Sequence, residues 1–447
     1  MKSVINISGL NSQILKIAIP AIVSNITVPL LGICDTGVTG HLGNPVFIAA
    51  IAVGTMMINV LLWSFGFLRM GTTGLTAQAF GGNNKKETEI LFTRSLLLAF
   101  LIGGLLVILQ YPFRLMLSEI IGPDNSVRNL SDEYFSICIW GAPGILGSMA
   151  ISGWFLGMQN SLLPMIIAIT ANVINIMASI LLSFPCGLGF TGTALGTLIA
   201  NWSSLLISIL LVYKFCHKKL PLVSLKKAID LRGMGRFFKV NGDIFFRSFF
   251  IMAVSLGITS IGARLGEHTL AVNAVIMQFF FLFSYFMDGF AFSAEALSGK
   301  AMGAGDKEGL NRIVKRLLLC SLTVTAIFTI IYLPGYRLFA NILVPDEIIL
   351  KSLDEMKVWI WLLPSVSFLA FIYDGFYIGL TATRTMLLVT AIASITFFAF
   401  NFLFPSPEKS EGATRLWLAF EIYLLIRGLA LAVCYPSVLK KLKLNFR

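Results

Sequence analysis

Four acids lie deep inside long apolar stretches of the chain: Asp35, Asp288, Glu295 and Asp374. An ionisable side chain at mid-depth in a membrane costs at least about 2.5–3.5 kcal/mol, so each is a candidate to hold a cation or exchange a proton. Asp35 belongs to the stretch PAIVSNITVPLLGICDTGVTG, where Pro20 and Pro29 each remove a backbone donor and permit a bend. Burial penalises the charged form of a carboxylate, and a bendable helix carrying such an acid can act as a proton-driven switch. The plainer reading is an acid near a helix end, tied down by Thr36 and Thr39.

Further along, Asn172, Asn175 and Ser179 are spaced by three and four residues and share one helix face. Thr193 and Thr197 are one turn apart, and Asn25 and Thr27 are further polar partners in the same half of the chain. Such groups either bond across helices for packing or line an ion route. In the second half Glu295 follows Asp288 by two turns, and Asp374 precedes a glycine in YDGFYIGLTATR. These acids suit an internal network with Arg247 or Lys300, or a cation or substrate site. Asp243, Arg247, Glu421 and Arg427 fall nearer span ends, where long side chains snorkel or pair.

No catalytic constellation accompanies these residues. GxxxxGK[ST], HExxH and GxSxG are absent, so neither bound ATP nor hydrolytic chemistry is indicated. Six cysteines and three histidines are scattered without ligand spacing, and no metal site is expected.

The elements that must position the acids follow from composition. The chain has 447 residues, 57% hydrophobic and 13% charged, against about a quarter charged in ordinary soluble domains. The apolar residues come in runs of about 20 or more, long enough to span a bilayer core of about 30 Å as helices. Twelve spans are predicted, at 13–38, 47–79, 90–111, 132–156, 162–184, 190–213, 241–264, 269–298, 313–333, 356–380, 385–404 and 415–436. Separators such as GGNNKK (81–86), GPDN (122–125), FPCGLG (184–189), GAGDKEG (303–309) and FPSPEKSEG (404–412) read as loops. The net charge of +12 is a topology signal and not a nucleic-acid surface. Basic residues crowd into 214–239, the segment after the eighth span and the tail (Lys440, Lys441, Lys443, Arg447), while the opposite loops are acidic or neutral. The positive-inside rule then sets both termini in the cytoplasm, with anionic lipid as a lesser partner for the basic segments.

A shift of about 222 residues superposes the two halves. Leu42-Gly43 meets Leu265-Gly266, AFGGNNKKE meets AMGAGDKEG, Pro143 falls near Pro364, and Gly157 falls opposite Gly379. Each half holds six spans, so the fold class is all-α integral membrane: two six-helix lobes related by a pseudo-two-fold axis along the membrane normal. The lobes are residues 1–213 and 241–447, joined by a basic cytoplasmic linker, 214–240.

On PAIVSNITVPLLGICDTGVTGHLG, NGDIFFRS, DGFAFSAEALSGKAMGAG and DGFYIGLTATR, the whole chain resembles the multidrug and toxic compound extrusion (MATE) transporters, and specifically their DinF-like branch. The resemblance implies alternating access with export driven by proton or sodium influx. It carries the family's first-helix aspartate onto Asp35, its bending proline onto Pro20, and its fifth-helix Asn-x-x-x-Asp pair onto Asn175 and Ser179. The second aspartate is absent here, which favours protons through Asp35 over a two-carboxylate sodium site. Other branches place sodium-site acids in the seventh and tenth helices, where Asp374 is an approximate counterpart in the tenth, so sodium remains the alternative ion. A lipid-precursor flippase is the alternative function. No cofactor beyond the coupling ion is expected. The expected partners are amphipathic or cationic small molecules and the lipid of a bacterial-type inner membrane, with the chain acting as a monomer.

Overall fold

The computed structural model describes residues 9–403 and 409–442. Residues 404–408 of the FPSPEKSEG loop, the tail residues Lys443 and Arg447, and the side chain of Arg232 lie outside the described residues. Among the described residues there is no strand, and twelve helical spans are long and apolar enough to cross a membrane. Backbone polar groups in lipid must be satisfied within the segment, so apolar runs of this length fold as helices. The chain is a multi-pass membrane protein.

The first six spans are built from α1 (Leu10–Gly40), α2 (Pro45–Ser64) with α3 (Phe67–Gly81), α4 (Lys85–Ile108), α6 (Asn125–Cys138) with α7 (Ala142–Gly157), α8 (Leu162–Ser183) and α9 (Gly189–Phe215). A helix that the apolar pattern does not announce, α5 (Gln110–Ile121), follows the third span. Its sequence, QYPFRLMLSEII, mixes polar and apolar residues too evenly to read as a span. The connecting segment forms a short helix, α10 (Leu225–Ala228), and α11 (Leu231–Leu265) already begins inside it. Polar and basic residues extend a helix into water as readily as loops do, so the hydropathy edge near 241 marks the membrane and not the helix start. The remaining spans are α11, α12 (Glu267–Gly303), α13 (Lys307–Leu343), α14 (Glu347–Gly379), α15 (Thr383–Leu403) and α16 (Lys409–Leu442).

Helix starts show the internal repeat in their geometry. The Asn84 side chain caps α4 by accepting from Glu87 N (3.1 Å), and Asp306, 222 residues later, caps α13 by accepting from Gly309 N (2.7 Å). Asn83 and Gly305 immediately before them are both left-handed, as are Gln159 and Thr381 at the same shift. Gly43 and Gly266 both take positive φ, a region that glycine enters without Cβ strain.

The chain divides into two compact units. One comprises residues 23–241, the other the start of the chain through Ile22 together with 242–447. The division falls inside α1 and near the start of α11. In the 23–241 unit, Phe92, Ile151, Trp154, Phe155, Ile167, Leu205 and Val212 form a buried core among α4, α7, α8 and α9. Close helix approach depends on small residues: Cβ atoms built at Gly192 and Gly196 of α9 would lie 2.6 Å from Ser183 N and 2.7 Å from Ser179 N of α8. Gly153 and Gly157 likewise press α7 onto α3, and in the other unit Gly375 and Gly379 press α14 onto α12.

Candidate functional site

The helix α1 runs through Pro20 and Pro29 to Asp35, and from Val23 on it belongs to the 23–241 unit. Proline has no N–H, so the helix loses a backbone bond at each of these positions. Between the two prolines, Asn172 Nδ2 of α8 donates to Thr27 Oγ1 (2.9 Å) and approaches Thr27 O (3.4 Å). The Thr27 hydroxyl in turn donates to Ser24 O (2.7 Å). Asn172 therefore grips α1 in its least self-supported stretch.

One turn further along α8, Asn175 Nδ2 donates to Thr197 Oγ1 of α9 (3.2 Å), and Ser179 Oγ donates to Asn175 Oδ1 (3.5 Å). The Thr197 hydroxyl donates to Thr193 O (3.2 Å), and Thr193 Oγ1 donates to Phe190 O (2.7 Å). Tyr134 OH of α6 lies 3.4 Å from Thr197 Oγ1. The two hydroxyls are within hydrogen-bond reach, and either can donate to the other. The five polar residues of α8 and α9 anticipated from spacing thus fall into two groups: Asn175, Ser179, Thr193 and Thr197 form one network, and Asn172 holds α1.

Asp35 is partly buried. Its carboxylate makes no hydrogen bond or ion pair among the described residues, and it lies within electrostatic reach of Tyr134 and Cys138. Thr39 donates to the backbone carbonyl of Asp35 and Thr36 to Gly32 O (2.9 Å), so neither threonine ties down the carboxylate. Tyr134 is the member of this site that sequence reasoning missed. Its one trace was a polar ring in the opening turns of the fourth span. Serine at position 179 has a packing cause as well: it is fully buried against Gly196, which leaves no room for a longer acid.

In the unit holding 242–447, Asp374 is buried, and its Oδ2 accepts from both Arg247 of α11 and Arg427 of α16. Arg427 also donates to Tyr423 OH (3.4 Å). Asp243, one turn before Arg247, accepts from Thr383 Oγ1 (2.8 Å) and faces Arg384 at 3.7 Å. Glu295 is buried in α12, and Asp288, two turns earlier, is partly buried beside Tyr285. Of the two expectations for Asp243, Arg247, Glu421 and Arg427, snorkelling is corrected, since all four are buried, while pairing holds for Asp243, Arg247 and Arg427. Their helices run past the hydropathy edges, so apparent span ends lie within the packed bundle. Three helices meet on Asp374, two of them contributing arginine, and that arrangement suits a structural clamp better than an open cation site.

The chain matches the MatE family over residues 20–181 and 244–403. It is similar to the DNA damage-inducible protein F of Escherichia coli K12, with 34% identity over 419 residues, covering 94% of this chain and 90% of that protein. Similarity to the probable multidrug resistance protein NorM of Shewanella oneidensis is 26% over 275 residues, 60% of this chain and 59% of that one. Among solved structures, the Vibrio cholerae MATE transporter VcmN in its bent form superposes with a TM-score of 0.87 at 17% identity, covering 98% of this chain and 99% of that chain.

Proposed function

The chain belongs to the MatE family of multidrug and toxin efflux transporters, and from that premise we propose that it exports amphipathic or cationic small molecules in exchange for protons, by alternating access. The observation that carries the choice of ion is the state of Asp35: one acid without hydrogen bond or ion pair among the described residues, beside a network of hydroxyls and amides with serine at position 179. A proton needs one basic oxygen, whereas sodium in place of the proton would ask for several free oxygen ligands, and most oxygens of this network are already engaged. In the outward-open state, protonation of Asp35 removes a charge from the face it shares with Tyr134. The helix then bends where Pro20 and Pro29 have weakened it and where Asn172 holds Thr27, and substrate is displaced. The membrane is a bacterial-type plasma membrane, and the crowding of Lys and Arg into 214–239, the segment after the eighth span and the tail supports cytoplasmic termini.

The test is efflux of a cationic dye such as ethidium from proteoliposomes under an imposed pH gradient, for the wild type and Asp35→Asn. The expected result is loss of at least about tenfold in the gradient-driven rate, equivalent to about 1.4 kcal/mol. Undiminished proton-driven efflux by the variant would sink the coupling role of Asp35. Full efflux driven by sodium at zero pH difference would transfer the coupling to that ion.

A further inference from the structure

A second acid lies in the other unit with nothing to neutralise it. Glu421 of α16 is 5% exposed, and neither of its carboxylate oxygens has a hydrogen-bond partner among the described residues. The direction it faces follows from Gly428, seven residues on, which packs against α14: a Cβ built there would lie 2.9 Å from Leu369 Cβ and 3.0 Å from Ala370 N. Residues seven apart on an α-helix lie about 20° from alignment, so Glu421 also faces α14, two turns toward the start of α16.

The surroundings hold no counterion. The α14 stretch Val358–Phe371 contains no acid or base, with Lys357 before it and Asp374, already held by two arginines, beyond it. The helix α15, which also packs on α16, carries Arg384 alone, in its first turn and paired with Asp243. On α12, Asn273 meets Trp417 and Phe280 meets Phe420, and no charged residue lies between 273 and 280. On α16 itself, Arg415 and Arg427 are each six residues away, about 120° round the helix. Arg427 is committed to Asp374 and Tyr423. The groups beside Glu421 are instead aromatic: Trp417 one turn before it, and Phe420, which lies edge-on to Phe280 (5.3 Å) and stacked with Tyr423 (5.9 Å).

A carboxylate buried without donor or counterion takes up a proton in preference to carrying its charge. We propose that Glu421 is a proton-binding site of this unit, a second exchangeable acid in addition to Asp35. As a step in transport it rests on the proton-coupled reading above; as a site it does not. Its burial gives it the property a coupling group needs, because a carboxyl at 5% exposure exchanges its proton with water only when the packing around it opens. A transporter so equipped would load protons in both halves of the molecule, although the two halves have diverged in sequence.

Infrared spectroscopy of the whole protein in lipid films tests this without a substrate. The protonated acid gives a carboxylic C=O band, distinct from carboxylate, that shifts on transfer to D2O. The expected result is a band lost in Glu421→Gln, moved in Glu421→Asp and retained in Asp35→Asn. Glutamine matches the neutral acid in shape and charge, so the variant should fold, and Glu421→Asp retains the acid should it not. A band unaffected by both Glu421 substitutions would overturn the proposal, and so would a band that never responds to D2O, which marks a locked structural acid. Failure of pH-driven efflux in the wild type would sink proton coupling while leaving the band assignment standing.

Discussion

Replacing Asp374 by asparagine preserves the size of the side chain and withdraws the one charge on which Arg247 and Arg427 converge. The carboxylate sits on α14 at 5% exposure, and its Oδ2 is the acceptor for guanidinium groups from α11 and α16. An amide oxygen can still accept a hydrogen bond, but it cannot balance a cation. Breaking a buried ion pair by removing one partner costs about 3–5 kcal/mol, chiefly because the surviving charge stays buried. For a unit of roughly 200 residues a loss of that size lowers the melting temperature by about 6–20 °C. The assay is thermal unfolding of purified protein in detergent, followed by the monodisperse fraction after heating. Adding Arg427→Met to Asp374→Asn removes one stranded cation, and at least about 1 kcal/mol should return. If Asp374→Asn melts within about 1 °C of the wild type, the three-helix clamp does not hold the unit together. If the double variant is no better than the single one, the penalty does not come from stranded charge.

The glycine contacts predict that Gly153→Val and Gly375→Val, equivalent sites in the repeat, each destabilise by about 1–3 kcal/mol through overpacking. Gly104→Ala, with nothing within 4 Å of its added methyl, should leave the melt unchanged or slightly raised. Asn172→Ala removes the donor to Thr27 and should cost about 0.5–1.5 kcal/mol in unfolding measurements. The same variant should also alter the pH-driven efflux rate, and unchanged efflux would show that the grip on α1 has no part in the switch.

The twelve spans were legible because lipid demands long apolar helices, and the repeat because its landmarks fall where the backbone is least replaceable. Gly157 and Gly379 match since both sit where another helix backbone leaves no space for a side chain. Asn84 and Asp306 match since both cap a helix that follows a left-handed residue. These constraints act on single positions, so one sequence carries them. The sites are a different case. Periodicity put Asn172, Asn175 and Ser179 on one face of α8, but it does not state what that face meets. Asn172 turns to α1 while Asn175 turns to α9, and Tyr134 joins from α6 by a contact spanning 63 residues. The arginines of the Asp374 clamp lie 127 and 53 residues away in sequence; the sequence offered Arg247 as a partner for the second-half acids, but hydropathy left Arg427 at a span end. Reading an edge of hydropathy as an edge of the bundle was the physical error, because helices that pack on one another bury side chains beyond the point where their own sequence turns polar. The same error hid Glu421. A charge near a presumed span end needs no explanation, whereas the same group buried with neither carboxylate oxygen partnered calls for a proton.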